Sequence, residues 1–358
     1  MARSLSTIIN KDKRLKPPPF DILSPGISYT LLASAFLLLG AGGTTPLSLA
    51  LFFIFIASFL AGARLSRPGE SVRYPLVWRL GLPLIMIGAA AEFANIAYAG
   101  SLPLAVPSAR ARLIPALSYL SFLIVPGCLI TMTDSLLNGR AREALFWVLS
   151  GTFLVSLLGY RTEVFALLIG ASISAYYVKG GAVSRLSAVK LGAAFLAMLV
   201  ALNLFFFSFR DSPLSSSLDR FSVTMQVFSS LAGNEGVSLF GVSGGIIHAS
   251  VLSSLRIIPG PSTGPRTYIS QLVGVSSGST TPTILGIPYL DFGLAGIIAL
   301  GAMLGFLFGS GYKMIRRGDV DVLPVHALCM AFLFITLETG IADAIVLVYL
   351  IAYLLIIV

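Results

Sequence analysis

Long apolar segments separated by short polar connections dominate the chain. A helix needs about 20 predominantly apolar residues to cross the hydrocarbon core of a bilayer, with a range of roughly 17 to 25. This criterion predicts an all-α polytopic membrane protein with about ten transmembrane helices. The predicted helices cover approximately residues 27–43, 46–63, 76–98, 113–133, 144–158, 164–178, 191–209, 284–310, 323–337 and 344–358.

The same pattern divides the chain into four regions. Residues 1–26 form a predicted cytoplasmic arm, because their basic and proline-rich run is too long and polar for a cleaved signal peptide. Residues 27–209 carry the first seven transmembrane helices, and residues 283–358 carry the last three. Residues 210–282 between them are predicted to be a large extracytoplasmic loop, which at this length should be folded and functional.

This loop is unusually apolar over residues 221–232 and 237–258. One extra transmembrane helix at 237–258 would reverse the side on which Lys313, Arg316 and Arg317 lie. Two extra transmembrane helices would leave these three residues on the cytoplasmic side. One of the two helices would then have to cross the bilayer with about 12 residues, well short of the usual length. We therefore expect one or two helices that lie in the interface or enter it as re-entrant segments.

Composition supports a membrane protein and excludes several other classes. Of 358 residues, 56% are hydrophobic and 11% are charged, with a mean hydropathy of +0.92. Soluble domains are about one quarter charged, so a soluble enzyme, a nucleic-acid-binding protein and a disordered chain are excluded. The two cysteines, Cys128 and Cys329, lie in apolar segments, which excludes a disulfide scaffold.

The net charge of +9 mainly reflects topology. With a cytoplasmic N-terminus, 17 of the 24 basic residues fall on the cytoplasmic side, as the positive-inside rule requires for a protein of the cytoplasmic (inner) membrane. The seven on the outer side are all arginines, whose planar guanidinium can bind phosphate or carboxylate through two hydrogen bonds. They are Arg110, Arg112, Arg161, Arg210, Arg220, Arg256 and Arg266.

Ionisable residues near membrane depth are candidates for function, because charge there is costly. Arg161 and Glu163 lie at the outer start of the sixth predicted helix. They are two positions apart and therefore face opposite sides, so they are not simply each other's counter-ion. Glu92 and Asn95 share a helix face, and Asp291 follows Tyr289. The alternative is that such residues extend to the interface and contact water.

His248 is the only histidine on the predicted outer side. Its imidazole could accept a proton from a hydroxyl group, since histidine titrates near neutral pH. A structural role is the alternative for a lone histidine. The other candidate bases are Glu163, Asp211, Asp219, Glu235 and Asp291.

Nucleotide- and metal-binding motifs are absent from the sequence: it has no Walker A loop, HExxH, CxxC or dinucleotide-binding glycine motif. No cofactor or metal is therefore expected, and energy must come from the substrate or an ion gradient. Gly301, Gly305 and Gly309 share one helix face. Close packing within the helix bundle is the favoured interpretation of this face, with a dimer contact as the alternative.

Three sequence features together resemble a known family. They are Gly159-Tyr-Arg161 at the start of a central helix, a large outer loop opened by Arg210, and a segment that runs from Thr281-Pro-Thr to Tyr289-Leu-Asp-Phe-Gly293. The chain thus resembles the Wzy-type O-antigen polymerases, which polymerise oligosaccharide repeat units of the cell envelope. The related O-antigen ligases are an alternative, but their His-Asn motif is missing because Ala249 follows His248.

The resemblance implies a GT-C-like membrane glycosyltransferase that acts on the extracytoplasmic face without a metal. Its donor and acceptor would be polyprenyl-diphosphate-linked oligosaccharides, and its partners would include membrane lipids and a chain-length regulator protein. On this basis we expect Arg161, Arg210 and Arg266 to bind the diphosphate, with Arg256 and Arg220 as the alternatives and Tyr289 as a further substrate-binding residue. The implied catalytic residues are His248, Glu163 and Asp291.

Two functions from other classes remain as alternatives. A flippase for lipid-linked glycans, or another secondary transporter, would predict inverted repeats with paired broken helices. The sequence shows no internal symmetry, since its one large loop has no counterpart in the first half. A non-catalytic scaffold subunit would not need clustered outer arginines.

Overall fold

The computed structural model of the chain describes residues 21–69, 75–179, 215–235, 239–254, 264–274, 280–340 and 344–357. All regular secondary structure within these ranges is helical. The α-helices are α1 (Pro25–Leu39), α2 (Pro46–Leu65), α3 (Pro75–Ala99), α4 (Pro115–Ser121), α5 (Ile124–Leu137), α6 (Ala141–Ser156), α7 (Arg161–Val178), α8 (Ser215–Glu235), α9 (Ile246–Ser254), α10 (Pro265–Leu272), α11 (Thr283–Arg317), α12 (Leu323–Thr339) and α13 (Ala344–Ile357).

Nine of the ten predicted transmembrane segments coincide with helices, and the seventh, residues 191–209, lies outside the described residues. The fourth corresponds to two helices, α4 and α5, in tandem. Among the described residues, five helical segments are long and apolar enough to cross a bilayer: Pro46–Leu65, Val77–Ala99, Pro115–Leu137, Thr283–Arg317 and Val320–Thr339. The protein is therefore an all-helical membrane protein.

Exposed apolar side chains on the outside of the bundle agree with a lipid environment. Met86 and Phe93 on α3 are 64% and 54% exposed, and Phe146 and Phe153 on α6 are 58% and 64% exposed. A soluble protein rarely exposes so many large apolar side chains on neighbouring helices. Lipid tails solvate such faces without cost.

Local signals explain where several helices begin and end. Proline occupies the first position of α1, α2 and α10, where the missing amide hydrogen has no helical partner in any case. Thr45 and Ser48 form a reciprocal capping box at the start of α2. Gly318 ends α11 with a left-handed φ of 97°, a conformation that glycine adopts at little cost.

The contact between α2 and α11 is exceptionally close. Gly301, Gly305 and Gly309 of α11 lie against Phe55, Phe59 and Ala63 of α2, so the two helices run parallel with a constant offset of 246 residues. A Cβ on Gly301 would lie 2.8 Å from the carbonyl oxygen of Phe55. A Cβ on Gly305 would overlap with the carbonyl oxygen of Phe59. The interpretation of this glycine face as packing within the bundle is confirmed. Close approach of backbones maximises van der Waals contact where lipid provides no hydrophobic drive.

α11 is interrupted at Gly293, whose φ of 60° and ψ of −144° are not helical. The segment of residues 239–247, termed here the bracing loop, bonds to the backbone groups that this interruption frees. The amides of Val242 and Ser243 donate to the carbonyl of Leu290 at 2.8 and 3.0 Å, and the amide of Ala295 donates to Leu239 at 3.0 Å. Non-helical backbone at this position is thereby satisfied by protein, as a membrane environment requires.

α8 packs across the turn between α1 and α2. A Cβ on Gly43 would lie 2.8 Å from the amide nitrogen of Gln226, so backbone meets backbone here as well. The hydroxyl of Ser229 donates to the carbonyl of Gly43 at 2.8 Å. Phe228 contacts both Phe52 of α2 and Tyr289 of α11 edge to face. α8 therefore connects α2 to the first part of α11.

Replacing Gly305 with alanine should destabilise the protein. Alanine normally favours a helix over glycine by about 1 kcal/mol, but here the methyl group overlaps with backbone of α2, which cannot move as a side chain could. Overpacking of this kind costs about 1–3 kcal/mol. We expect a lower midpoint of thermal unfolding in detergent for G305A than for the unmodified protein.

Gly233 provides the matched control. It lies in the last turn of α8, and a Cβ there meets no atom within 4 Å. G233A should leave the midpoint unchanged or raise it slightly. Equal midpoints for G305A and G233A would contradict the proposed importance of the α2–α11 contact.

Candidate arginine site

One end of the bundle brings together the end of α3, the beginnings of α4 and α7, and α13. Asn95 of α3 is fully buried and accepts a hydrogen bond from the amide of Ile114 at 2.8 Å. Its side-chain amide donates to Ser118 of α4 at 3.0 Å. Tyr349 of α13 donates to the carbonyl of Phe122 at 3.0 Å, and the rings of Phe122 and Tyr160 meet edge to face at 5.6 Å. These contacts hold the polar residues of this end in place.

Arg110 lies against the turn that precedes α7. Gly159 has a φ of +72°, and a Cβ on it would overlap with the guanidinium of Arg110. The same guanidinium lies over the ring of Tyr160, 6.0 Å from its centroid. Gly159 is thus required twice, for its left-handed backbone and for the space that it leaves to the arginine.

The first turn of α7 adds Arg161 and Glu163 to this group. Arg161 is the first residue of α7 and is half-buried, whereas Glu163 is 6% exposed. A carboxylate in the first turn interacts favourably with the helix dipole. Together Arg110, Tyr160, Arg161 and Glu163 form what we call the arginine site.

The electrostatics of Tyr160 reflect this arrangement. Burial raises the pKa of its phenol, and the charge of Glu163 raises it further. The positive charge of Arg110 and a hydrogen bond with Ser118 act in the opposite direction but do not cancel the effect. Tyr160 is therefore a neutral phenol at physiological pH and can donate or accept a hydrogen bond.

Glu92 lies on the face of α3 that also carries Gly88 and Asn95. Backbone of Ile124 approaches Gly88, and Asn95 bonds to α4, so this face is turned toward α4 and α5. Glu92 is 1% exposed, and its carboxylate makes no hydrogen bond within the described residues. The shared face of Glu92 and Asn95, predicted from their spacing, is consistent with their burial.

A second polar group surrounds Asp291, just before the interruption of α11. Asp291 is fully buried, and its carboxylate accepts a hydrogen bond from the amide of Ile247 at 3.1 Å. Ile247 is the second residue of α9, so the carboxylate lies at the positive end of that helix. Gly241 of the bracing loop approaches the backbone of Asp291 so closely that a Cβ would lie 2.6 Å from its carbonyl carbon. Asp291 thus links the bracing loop and α9 to α11.

The segment that begins at Thr281 is held between α8 and α10. The hydroxyls of Thr281 and Thr224 of α8 lie 3.4 Å apart. Thr280 donates its amide to the carbonyl of Arg266 at 3.4 Å, and its hydroxyl bonds to Ser270 of α10. Arg266 therefore lies directly beside the Thr-Pro-Thr motif.

Thr283 at the end of this motif has a φ of 62°, an unusual value for a β-branched residue. Its hydroxyl accepts a hydrogen bond from the amide of Leu285 at 3.2 Å, and Gly340 packs against its carbonyl. A Cβ on Gly286 would overlap with Pro282. The threonine, proline and glycine of the motif thus fix a strained turn into α11, and strained backbone often lies near functional sites.

The structure describes the side chains of five predicted site residues. Arg161 and Glu163 both belong to the first turn of α7, whereas Tyr289 and Asp291 are buried where α11 meets α8 and the bracing loop. Arg266 lies beside the Thr-Pro-Thr motif. His248 belongs to α9 and Arg220 to α8, but their side chains are outside the described part, as are Arg210 and Arg256 altogether.

Arg110 is one of two outer arginines, with Arg112, that the sequence motifs do not assign to the site. It is 49 positions away from Gly159, and only the folded chain brings the two into contact. The one sequence feature that points toward this contact is the glycine of the Gly-Tyr-Arg motif, because a glycine leaves space in which another side chain can pack.

No three His, Cys, Asp or Glu side chains come close enough to hold a metal ion in the part of the chain that the structure describes. Both cysteines are buried free thiols. That the reaction needs no metal and no cofactor stays a prediction.

Taken together, the fold and this site define a polytopic membrane protein with Arg110 and Arg161 beside the turn that begins α7. The family model described as "Putative O-antigen polymerase" matches residues 22–350, and the chain belongs to this family. It is 29% identical over 304 residues to the uncharacterized protein MJ0419 of Methanocaldococcus jannaschii, an alignment that covers 82% of each chain. No solved structure matches the chain. The resemblance inferred from the Gly-Tyr-Arg and Thr-Pro-Thr motifs is thereby confirmed.

Proposed function

We propose that the protein is a glycosyltransferase that polymerises polyprenyl-diphosphate-linked oligosaccharide repeat units. Membership of the O-antigen polymerase family supports a membrane enzyme that builds glycans. The observation that carries the finer proposal is the arginine site, in which the guanidinium of Arg110 contacts Gly159 and Tyr160 and Arg161 is the next residue of the chain. Two guanidinium groups at one place suit a diphosphate group, because each can bind two phosphate oxygens.

The proposed reaction transfers the glycan from one lipid carrier to the end of another glycan. The hydroxyl oxygen of the acceptor forms a bond to the anomeric carbon of the donor, and the bond from that carbon to the diphosphate oxygen breaks. The diphosphate leaves on its lipid with added negative charge, and the hydroxyl proton passes to a base. Arginines held rigidly before the reaction stabilise this developing charge most effectively in a site with little water.

Each residue of the arginine site has a proposed role. Arg161 and Arg110 bind the diphosphate, and Tyr160 donates a hydrogen bond to a phosphate or sugar oxygen. Glu163 is the favoured base, because it belongs to this site and is next to Tyr160. Asp291, whose carboxylate accepts a hydrogen bond from the amide of Ile247, is the second candidate. His248 remains a third candidate.

The remaining arginines would bind the second lipid carrier. Arg266 lies beside the Thr-Pro-Thr motif, and Arg210, Arg220 and Arg256 belong to the same extracytoplasmic region of the sequence. We further propose ten transmembrane helices in a GT-C-like arrangement, a cytoplasmic N-terminus in the cell membrane and a site that opens to the outside. A chain-length regulator protein would act as a partner.

A lipid flippase or other transporter is the second candidate, and the interruption of α11 at Gly293 favours it. Transporters often bind substrates at the exposed ends of broken helices. Here, however, the carbonyl of Leu290 and the amide of Ala295, which the interruption leaves without helical partners, form hydrogen bonds with the bracing loop. These groups are unavailable to a substrate, which favours the enzyme.

Replacing Arg161 should abolish chain extension by purified protein supplied only with the lipid-linked repeat unit, without nucleotide or ion gradient. Loss of one preorganised donor typically slows such reactions about 10²- to 10³-fold. R161A and R161K should both fail, because lysine cannot form the paired hydrogen bonds of a guanidinium. Polymer length is measured by gel electrophoresis of the labelled glycan.

Arg112 supplies the control for this experiment. It lies on the same short turn as Arg110, residues Pro107–Arg112, but is exposed. R112A should retain polymer of normal length. Normal polymer from R161A, or ion-dependent lipid flux without chain extension, would refute the assignment.

Replacing Gly159 with alanine should reduce the polymerisation rate by displacing the guanidinium of Arg110. Gly100 is the matched control, since it has a similar φ of +70° but no atom within 4 Å of a Cβ. G159A and G100A carry the same backbone strain, and only G159A disturbs the arginine. We expect G159A to approach the rate of R110A and G100A to remain near normal; equal rates for the two glycine variants would contradict the role of Arg110.

A further inference from the structure

A groove with a volume of 520 Å³ opens at the opposite end of the bundle, between α1, α2 and the last turns of α11. Its apolar part includes Ile27 and Leu31 of α1 and Leu60 of α2, and its polar part includes Arg64, Tyr312 and Lys313. We call it the basic groove. The end of α7 lies near this groove, because the hydroxyl of Tyr177 donates to the carbonyl of Leu23 just before α1. The arginine site at the start of α7 therefore lies toward the other end of the bundle.

Hydrogen bonds hold one positive charge, that of Lys313, at the rim of the basic groove. The ammonium of Lys313 donates to the carbonyl of Ser66 at 2.6 Å and to that of Arg64 at 3.3 Å, so it lies at the negative end of α2. The guanidinium of Arg316 lies over the ring of Tyr312, 5.9 Å from its centroid. Arg64 itself is exposed, and its side chain is not needed to cap the helix. The rim therefore combines Arg64, whose exposed side chain is available to a ligand, with Lys313, whose ammonium has three donors and uses two on backbone carbonyls.

We propose that the basic groove binds an anionic phospholipid. The phosphate would bind to Arg64 and Lys313, and one hydrocarbon chain would lie along Ile27, Leu31 and Leu60. An apolar channel that ends in cations matches the two parts of such a lipid, and juxtamembrane arginine and lysine attract anionic headgroups. This inference rests on the packing of α1, α2 and α11 alone and does not depend on the proposed function.

Charge argues against one other occupant, the chain's own N-terminal arm. Residues 1–20 precede α1 and contain Arg3, Lys11, Lys13, Arg14 and Lys16 but a single acid, Asp12. A segment with this net positive charge is repelled by the cations at the rim. Zwitterionic lipids should bind more weakly than anionic lipids at this rim, because the cationic group of their headgroup is repelled by Arg64 and Lys313.

Native mass spectrometry of the full-length protein in detergent tests the proposal. Phosphatidylglycerol and phosphatidylcholine with identical chains are offered at equal concentration. The unmodified protein should retain phosphatidylglycerol preferentially, and R64Q should lower this preference about fivefold, the effect of one basic residue near a headgroup. The control R142Q removes an exposed arginine from α6, outside the groove, and should preserve the preference.

A second variant tests the apolar part of the groove. I27W fills the space beside Leu31 and Leu60 and should lower the binding of both lipids, while the midpoint of thermal unfolding shows that the fold persists. An unchanged preference in R64Q, an equal loss in R142Q, or unchanged binding in I27W would overturn the proposal. So would a several-fold gain in phosphatidylglycerol binding when residues 2–20 are deleted, because the arm would then be the occupant.

Discussion

The close contact between α2 and α11 determines where the Thr-Pro-Thr turn and Lys313 lie. Gly301, Gly305 and Gly309 let α11 approach the backbone of α2 at a constant offset, which fixes the register of the two helices. By this offset, residue 292 is level with Pro46, the first residue of α2. Residues 294–317 of α11 extend for about 36 Å, at 1.5 Å per residue, along α2 and past its end. The strained Thr-Pro-Thr turn is thereby placed at one end of the bundle and Lys313 at the other.

A second constraint follows from the absence of water in the hydrocarbon core, where free backbone groups are costly. α11 is interrupted at Gly293, and the bracing loop supplies hydrogen bonds to Leu290 and from Ala295. Asp291 accepts a further bond from Ile247. These contacts explain why an apolar, glycine-containing segment of the predicted outer loop folds against the bundle. They also show why a buried carboxylate is not by itself evidence of catalysis, since Asp291 contributes to the attachment of this segment.

Helix positions were predictable from the sequence because each apolar segment is long enough to be recognised locally. The glycine face of α11 was interpreted correctly for the same reason, since three glycines at helical spacing have a direct packing consequence. Arg110 was not assigned, because its contact with Gly159 depends on the packing of α3, α4 and α7. The interruption at Gly293 was also missed, since the surrounding pattern of apolar residues continues without a break. Family membership was predicted from motifs, whereas the roles of individual arginines and carboxylates depend on geometry that no pattern encodes.

We propose above that the diphosphate of a lipid-linked glycan binds between Arg110 and Arg161. The most direct measurement uses a polyprenyl diphosphate that carries a photoreactive group next to the diphosphate, followed by peptide mapping of the cross-linked protein. Our account predicts labelling within residues 107–122 and 159–164, and competition by unlabelled polyprenyl diphosphate. Labelling confined to the basic groove around Arg64 and Lys313, with none near Gly159, would contradict it.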